Sequence, residues 1–268
     1  MRRRFEAESN ATRCRRQRAT GFRCSRREMA RFLRHCFSAA GVVVYALLIA
    51  DTSVAQVAST ANEEYRTHEM REKAADEMGS NFRGALERLG ALVDSLDLHA
   101  GDTVADVGTG VGYLLPYILK RVGSSGTIFA VDIYPEFLER VRKRSAAAGW
   151  QNVLPVLATE RDPKLPANRL DAAILLDTYH HLNYPSATMQ GVRRALKSDG
   201  RLFIVDYYRS RPNPTASLDV VRRHIRLDRD DVVKEVEAQG FQLTKQWDHM
   251  PFNWTGTSFT YVLVFKKQ

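Results

Sequence analysis

The chain has 268 residues, of which 26% are charged, and a formal net charge of +9. That length suits one α/β domain with extensions and a substantial buried core. The charge is local: residues 1–36 hold twelve Arg and three Glu, and beyond them 28 basic side chains meet 28 acidic ones. The globular part is therefore neutral overall, which argues against a basic nucleic-acid-binding face. Cys14, Cys24 and Cys36 all lie in the same leader. The remainder can have no disulfide framework, thiolate metal site or cysteine nucleophile.

In chain order, the Arg-rich segment leads to the apolar run Ala39 to Ala50, which Asp51 breaks and Ser53-Val54-Ala55 follows. A basic region, a short apolar run and a small-x-small site predict a secretory signal peptide, with cleavage near Ala55 and a mature start at Gln56. Met29 opens a shorter, more typical leader, and Ser25-Arg26-Arg27 is a poorly fitting twin-arginine signal. Twelve apolar residues fall short of the roughly 20 that span a bilayer. The expectation is export, to the periplasm, with no stable membrane span after cleavage. The alternatives are an uncleaved membrane anchor and an amphipathic leader retained in the cytoplasm. Domain boundaries are expected at 1–55 for the leader, 56–79 for a helical arm with i,i+4 charge pairs, and 80–268 for the main domain.

Leu86, Leu89, Leu92, Val93 and Leu96 lie at helical spacing within Phe82 to Leu96. A β-branched run, Thr103 to Val107, predicts the first strand. It ends in Gly108, Gly110 and Gly112, and Leu114 to Val122 predicts a helix with Pro116 tolerated in its first turn. This is strand, tight turn, helix, with unpaired N–H groups at the helix start. Asp106 stands at the carboxyl end of the strand, where open α/β sheets bind ligands. A dinucleotide fingerprint G-x-G-x-x-G would place glycine where Tyr113 stands.

Thr127 to Asp132 predicts a second parallel strand. An acid at its tip can accept hydrogen bonds from both ribose hydroxyls of an adenosine. Pro135 to Ala148, closed by Gly149, predicts a helix, and Asn152 to Leu157 a third strand. Leu170 to Leu176 is continuously apolar, as in a strand buried on both faces, and Asp177-Thr178-Tyr179-His180-His181 follows it. Ser186 to Leu196 predicts a helix and Arg201 to Asp206 a strand. Tyr207 to Pro214 reads as a variable loop, and Arg222 to Leu227 as a lead-in to a helix over Asp228 to Gln239. Strands over Phe241 to Trp247 and Phe259 to Phe265 close the chain. Trp247, Phe252 and Trp254 read as packing residues. Either adjacent histidine can serve as a base near neutral pH. No third ligand stands at helical metal-site spacing, so no metal is expected.

Asp106, Gly108, Gly110 and Gly112, followed by Asp132, resemble motif I and the second acidic position of the class I S-adenosylmethionine (SAM) methyltransferases. The likeness extends over residues 80–268, through Asp162 to Pro166, Leu175 to His181 and Gln239-Gly240-Phe241. It implies a three-layer, doubly wound α/β fold with a seven-stranded, mostly parallel sheet and one antiparallel strand. It also implies SAM as cofactor, with Asp106, Gly108, Thr109, Gly110 and Gly112 at its amino-acid end and Asp132 and Ile133 at the ribose. Glu160 or Asp162 would face the adenine; Ala158-Thr159 departs from the usual Gly-Asp pair there and leaves that choice open. Asp177 would hold the charged end of SAM or a substrate group, and Tyr179, His180 and His181 would line the acceptor site and take a proton. The implied reaction is direct in-line methyl transfer to a small-molecule acceptor. An exported, non-catalytic SAM- or nucleoside-binding or partner-binding relative is the alternative, and an NAD(P)-dependent oxidoreductase a more distant one. The sequence specifies neither the acceptor nor the oligomeric state.

Overall fold

The computed structural model describes residues 57–80, 83–212, 216–249 and 259–268. The leader with its cleavage site, Phe82, and the turn bearing Phe252 and Trp254 lie outside the described residues. A 3-10 turn at Glu63–Tyr65 precedes helices α1 (His68–Ser80) and α2 (Arg83–Ser95). The main domain then runs β1 (Thr103–Val107), α3 (Leu115–Val122), β2 (Thr127–Asp132), α4 (Pro135–Ala148), β3 (Val153–Leu157) and β4 (Leu170–Leu176). A 3-10 turn at Tyr179–His181 leads to α5 (Pro185–Ala195), β5 (Leu196–Tyr207), α6 (Leu218–His224), α7 (Arg229–Glu237), β6 (Phe241–His249) and β7 (Thr260–Lys267).

The strands form one seven-stranded sheet in the order β3-β2-β1-β4-β5-β7-β6. β7 runs antiparallel to both its neighbours and the other pairings are parallel. Period-2 alternation divides the strand residues between two cores. Val104, Ile128, Ile174 and Val205 meet α2 and α3 through Leu92, Leu115 and Ile118. Ala105, Val131, Leu175 and Ile204 meet α5 and α7 through Met189, Val192, Val232 and Val236. This is the three-layer, doubly wound arrangement. Its strand order reverses between β1 and β4, and a crevice opens at the carboxyl ends of that pair.

Three segments depart from the sequence reading. β5 starts at Leu196, because Leu170 pairs with Leu196 before a bulge sets Ala172 against Arg201. Helix α6 replaces the expected lead-in; its seven residues are too few for a 3.6-residue period to register. The 57–80 segment lies against the domain. Arg71 Nη2 binds Glu136 at 2.8 Å, and Arg140 binds both Glu72 and Asp76 at 2.8 Å. The Arg71 guanidinium and the His68 imidazole hold the Glu136 carboxyl down at about 2, against the opposing effect of burial. The exposed i,i+4 pair Lys73–Glu77 is also present at 3.6 Å, worth only a few tenths of a kcal/mol. No helix among the described residues is long and apolar enough to cross a membrane.

Candidate active site

The glycine turn is held from both sides. Gly108 and Thr109 donate their N–H groups to the Val131 carbonyl at 2.8 and 2.9 Å, tying the turn to β2. Gly108 has φ +75°, and a Cβ there would lie 2.3 Å from Thr178 Cγ2. Gly110 has φ +54°, and a Cβ there would make only ordinary contact with Met78 Sδ at 3.5 Å. The loop can therefore present bare backbone to a ligand. Asp106 is buried beneath it and accepts the Thr109 hydroxyl at 2.7 Å. Burial raises its carboxyl to about 7, against the pull of that hydroxyl.

Asp132, at the tip of β2, accepts the Gly110 N–H at 2.9 Å and the Tyr134 N–H at 3.0 Å. Burial pushes its carboxyl up to about 6, with these backbone donors opposing. Asp132, Ile133, Tyr134, Phe137, Glu160 and Leu182 border one cavity. Asp106, Thr109, Gly110 and Tyr113 border a second on the other side of the turn. An acid at the ribose position, a glycine backbone and a mixed aliphatic and aromatic wall fit a nucleoside cofactor with a polar tail. Gly112 plays a different part: its absent Cβ would meet Leu115 Cδ1 at 2.6 Å, so it packs the turn onto α3.

A third cavity lies beyond, bordered by Glu64, His180, Tyr207, Tyr208, His224 and Phe259, among others. Tyr65, Asp177 and His181 border all three. Asp177 adopts φ +53°, with its N–H bonded to the Val205 carbonyl at 2.8 Å. Its side chain is half exposed to the cavities, yet the enclosing walls strip enough water to raise its carboxyl to about 6.

His180 is buried, and its Nδ1 lies 2.7 Å from Asp206 Oδ1. Its backbone N–H donates to Asp206 Oδ2 at 3.0 Å. An ionised Asp206 can only accept, so the proton sits on Nδ1 and Nε2 carries the lone pair. That Nε2 is 3.9 Å from Asp177 Oδ1. Burial lowers the imidazole to about 4, with the Asp177 charge opposing, so His180 is neutral at pH 7. His181 is oriented by Asn62. The Asn62 amide donates to the His181 carbonyl at 3.0 Å, which leaves Asn62 Oδ1 to accept from His181 Nδ1 at 2.9 Å. Burial and the neighbouring imidazoles keep His181 well below its usual value, and the Ala61 carbonyl approaches the same ring.

Two expected roles are corrected. Tyr179 is buried away from the three cavities and donates its hydroxyl to Glu235 at 2.7 Å. In the 3-10 turn it faces α7 while His180 faces the crevice, so it anchors the loop. Asp162 also turns away from them. It accepts the Lys164 N–H at 3.0 Å, pairs with Lys164 Nζ at 3.0 Å and helps close its own loop. Glu160 borders the first cavity instead, held by the Asn183 amide at 2.8 Å. The sequence reading missed Asn62, Tyr65, Tyr207, Asp206 and His224 as site residues. Only Asp206, an acid at a strand's carboxyl end, carried a signal that could have been used.

Fold and cradle together give an α/β domain with the architecture of the class I SAM-dependent methyltransferases, and a cradle that fits SAM. The comparisons agree: a family described as "Methyltransferase domain" matches residues 105–204. The ubiquinone/menaquinone biosynthesis C-methyltransferase UbiE of Chromobacterium violaceum is 30% identical over 135 residues, 49% of this chain and 54% of that protein. Aklanonic acid methyltransferase DauC of Streptomyces sp. is 30% identical over 112 residues, 42% of this chain and 49% of that protein. A protein-L-isoaspartate O-methyltransferase of Methanococcus maripaludis is 37% identical over 73 residues, 27% of this chain and 34% of that protein. The chain thus spans from a third to about half of these relatives. A solved SAM-dependent methyltransferase from Aquifex aeolicus superposes with a TM-score of 0.64 at 22% identity, covering 74% of this chain and 98% of that one. That likeness concerns the fold.

Proposed function

We propose that this protein transfers the methyl group of SAM to a small-molecule acceptor by direct in-line displacement. The observation that carries the reading is the junction at which Tyr65, Asp177 and His181 border the two cofactor cavities and the third cavity at once. SAM supplies an activated methyl on a cationic sulfonium. The chain's residues do the rest. Asp132 and the glycine turn hold the nucleoside end, and the Asp177 carboxylate complements positive charge at the junction. His180, oriented by Asp206, offers a neutral Nε2 to an acceptor proton. The walls align donor and acceptor, the main contribution such a site makes.

The third cavity combines apolar walls from Val220, Val221, Ile225 and Phe259 with a polar floor of His180, His181 and Asp177. That lining suits a largely apolar molecule bearing one ionisable O–H or N–H. The names of the UbiE and DauC relatives refer to small organic acceptors, which supports this reading, whereas the isoaspartate relative matches over a shorter stretch. Export with cleavage near Ala55 belongs to the same proposal and rests on the leader's sequence.

Calorimetric titration of SAM and S-adenosylhomocysteine into the full chain tests it. Micromolar binding is expected, weakened at least tenfold by Asp132→Ala, about 1.4 kcal/mol. A folded wild-type protein that binds neither ligand would refute the proposal.

A further inference from the structure

His180, His181 and His224 each offer a ring nitrogen, and the three nitrogens lie within 4.8 Å of one another. The first two come from the turn after β4 and the third from the end of α6. Their ring centroids are 4.0, 5.0 and 5.4 Å apart.

The hydrogen bonds behind the rings point to an occupant. Asp206 accepts a hydrogen bond from the Nδ1–H of His180, and the Asn62 carbonyl oxygen accepts one from that of His181. His180 is thereby fixed in the tautomer whose Nε2 bears a lone pair, and the Asn62 contact favours the same tautomer for His181. An oxygen acceptor behind His180 and another behind His181 is the arrangement that orients histidines around a metal ion. Two such lone pairs cannot bond to each other, and a shared cation is one occupant that satisfies both. The cavity's charge agrees. Glu64 and Asp177 line it, while Arg211, the cationic side chain of the lining, pairs with Asp248 at 2.9 Å.

We propose that His180, His181 and His224 bind a divalent first-row metal ion of the Zn²⁺ kind, with a remaining coordination position open to the third cavity. Zn–N bonds of about 2.0–2.1 Å in a tetrahedral site put the nitrogens roughly 3.3 Å apart, so the rings close inward by small side-chain rotations. Three protein nitrogens with one open position is the ligand set of a reactive rather than a closed structural centre. Asp177 flanks the site through its 3.9 Å approach to His180. With an ion on Nε2, His180 can take no proton, and the ion would polarise an acceptor oxygen in its place. Sequence spacing hid the trio because its third member reaches the site only through the placement of α6.

The test is metal binding by the full chain after chelator stripping, with Co²⁺ as a spectroscopic probe and Zn²⁺ as competitor. Expected is one equivalent with the d–d spectrum of a nitrogen and oxygen site, displaced by Zn²⁺. His224→Ala should remove it, and Asn62→Ala should weaken it 10- to 100-fold by freeing the His181 ring. Cys14, Cys24 and Cys36 form a second possible destination, distinguished by thiolate charge-transfer bands. Circular dichroism melting establishes that both variants fold; should His224→Ala fail to fold, His224→Gln and Asn62→Ala carry the test. A thiolate spectrum alone, or Co²⁺ binding at the nitrogen and oxygen site unchanged in the folded His224 and Asn62 variants, would overturn the proposal. SAM titration in the presence of chelator separates failure here from failure of the methyl-transfer reading.

Discussion

Replacing Gly108 with alanine isolates the turn on which the crevice depends. At φ +75° an L-residue pays about 1–2 kcal/mol. The new Cβ would lie 2.3 Å from Thr178 Cγ2, 2.4 Å from its Oγ1 and 2.9 Å from its Cβ. Thr178 has little freedom to yield, since its hydroxyl donates to the Leu176 carbonyl at 2.8 Å and the residue is buried. Overpacking of this kind adds about 1–3 kcal/mol. Gly108→Ala should therefore cost about 2–5 kcal/mol of a total that is typically 5–15. Thr178→Gly removes the collision and leaves the φ penalty. The double variant should accordingly recover about 1–3 kcal/mol relative to the sum of the single effects. Urea denaturation of the full chain, followed by circular dichroism, measures all four corners of the cycle. A Gly108→Ala protein within about 0.5 kcal/mol of wild type, or a cycle that closes additively, would refute the reasoning.

Asp106→Asn should reshape the pH dependence of stability while leaving an oxygen to accept the Thr109 hydroxyl. The folded carboxyl is raised to about 7 from 3.8. Its contribution is therefore fully present below about pH 4 and lost as pH rises through 7. Wild type should fall relative to the variant across that window, by up to about 4 kcal/mol. Parallel melting-temperature profiles from pH 4 to 8 would contradict this. Tyr179→Phe should cost about 1 kcal/mol for the lost hydrogen bond to Glu235, which keeps Arg226 as partner at 2.7 and 2.9 Å. SAM affinity and turnover should be unchanged, and a tenfold loss of either would return the phenol to the site.

The parts of this fold with a local cause were legible in the sequence. The β-branched run before Gly108, the acid closing β2, Pro135 and Gly149 bracketing α4, and the apolar run of β4 each express a backbone preference or a burial pattern within a few residues. The site divides along the same line. Asp132 and the glycines follow from strand-turn-helix chemistry. The third cavity does not, because its groups meet through tertiary packing. Tyr179, His180 and His181 look equivalent as a tripeptide, and only the 3-10 turn shows that the first faces α7 and the others the crevice. Asp162 and Glu160 are likewise separated by the way one loop closes on itself. Asn62 and Tyr65 reach the site because Arg71 and Arg140 fasten α1 to α4, a pairing with no periodic signature.

The third cavity has a bearing on how such a protein can diversify. Apart from Asp177, His180 and His181, the residues bordering it lie outside residues 105–204, the stretch that matches the family. They come from the segment before α1, the end of β5 and the connection after it, α6 and the residue that follows it, and the residue before β7. Mutation can remodel that chamber without disturbing the glycine turn or the tip of β2. Two chains sharing the matched core with high fidelity can then differ entirely in what they accommodate. Inheritance of the cofactor cradle and invention of the chamber are uncoupled, and kinship measured on the core records only the first.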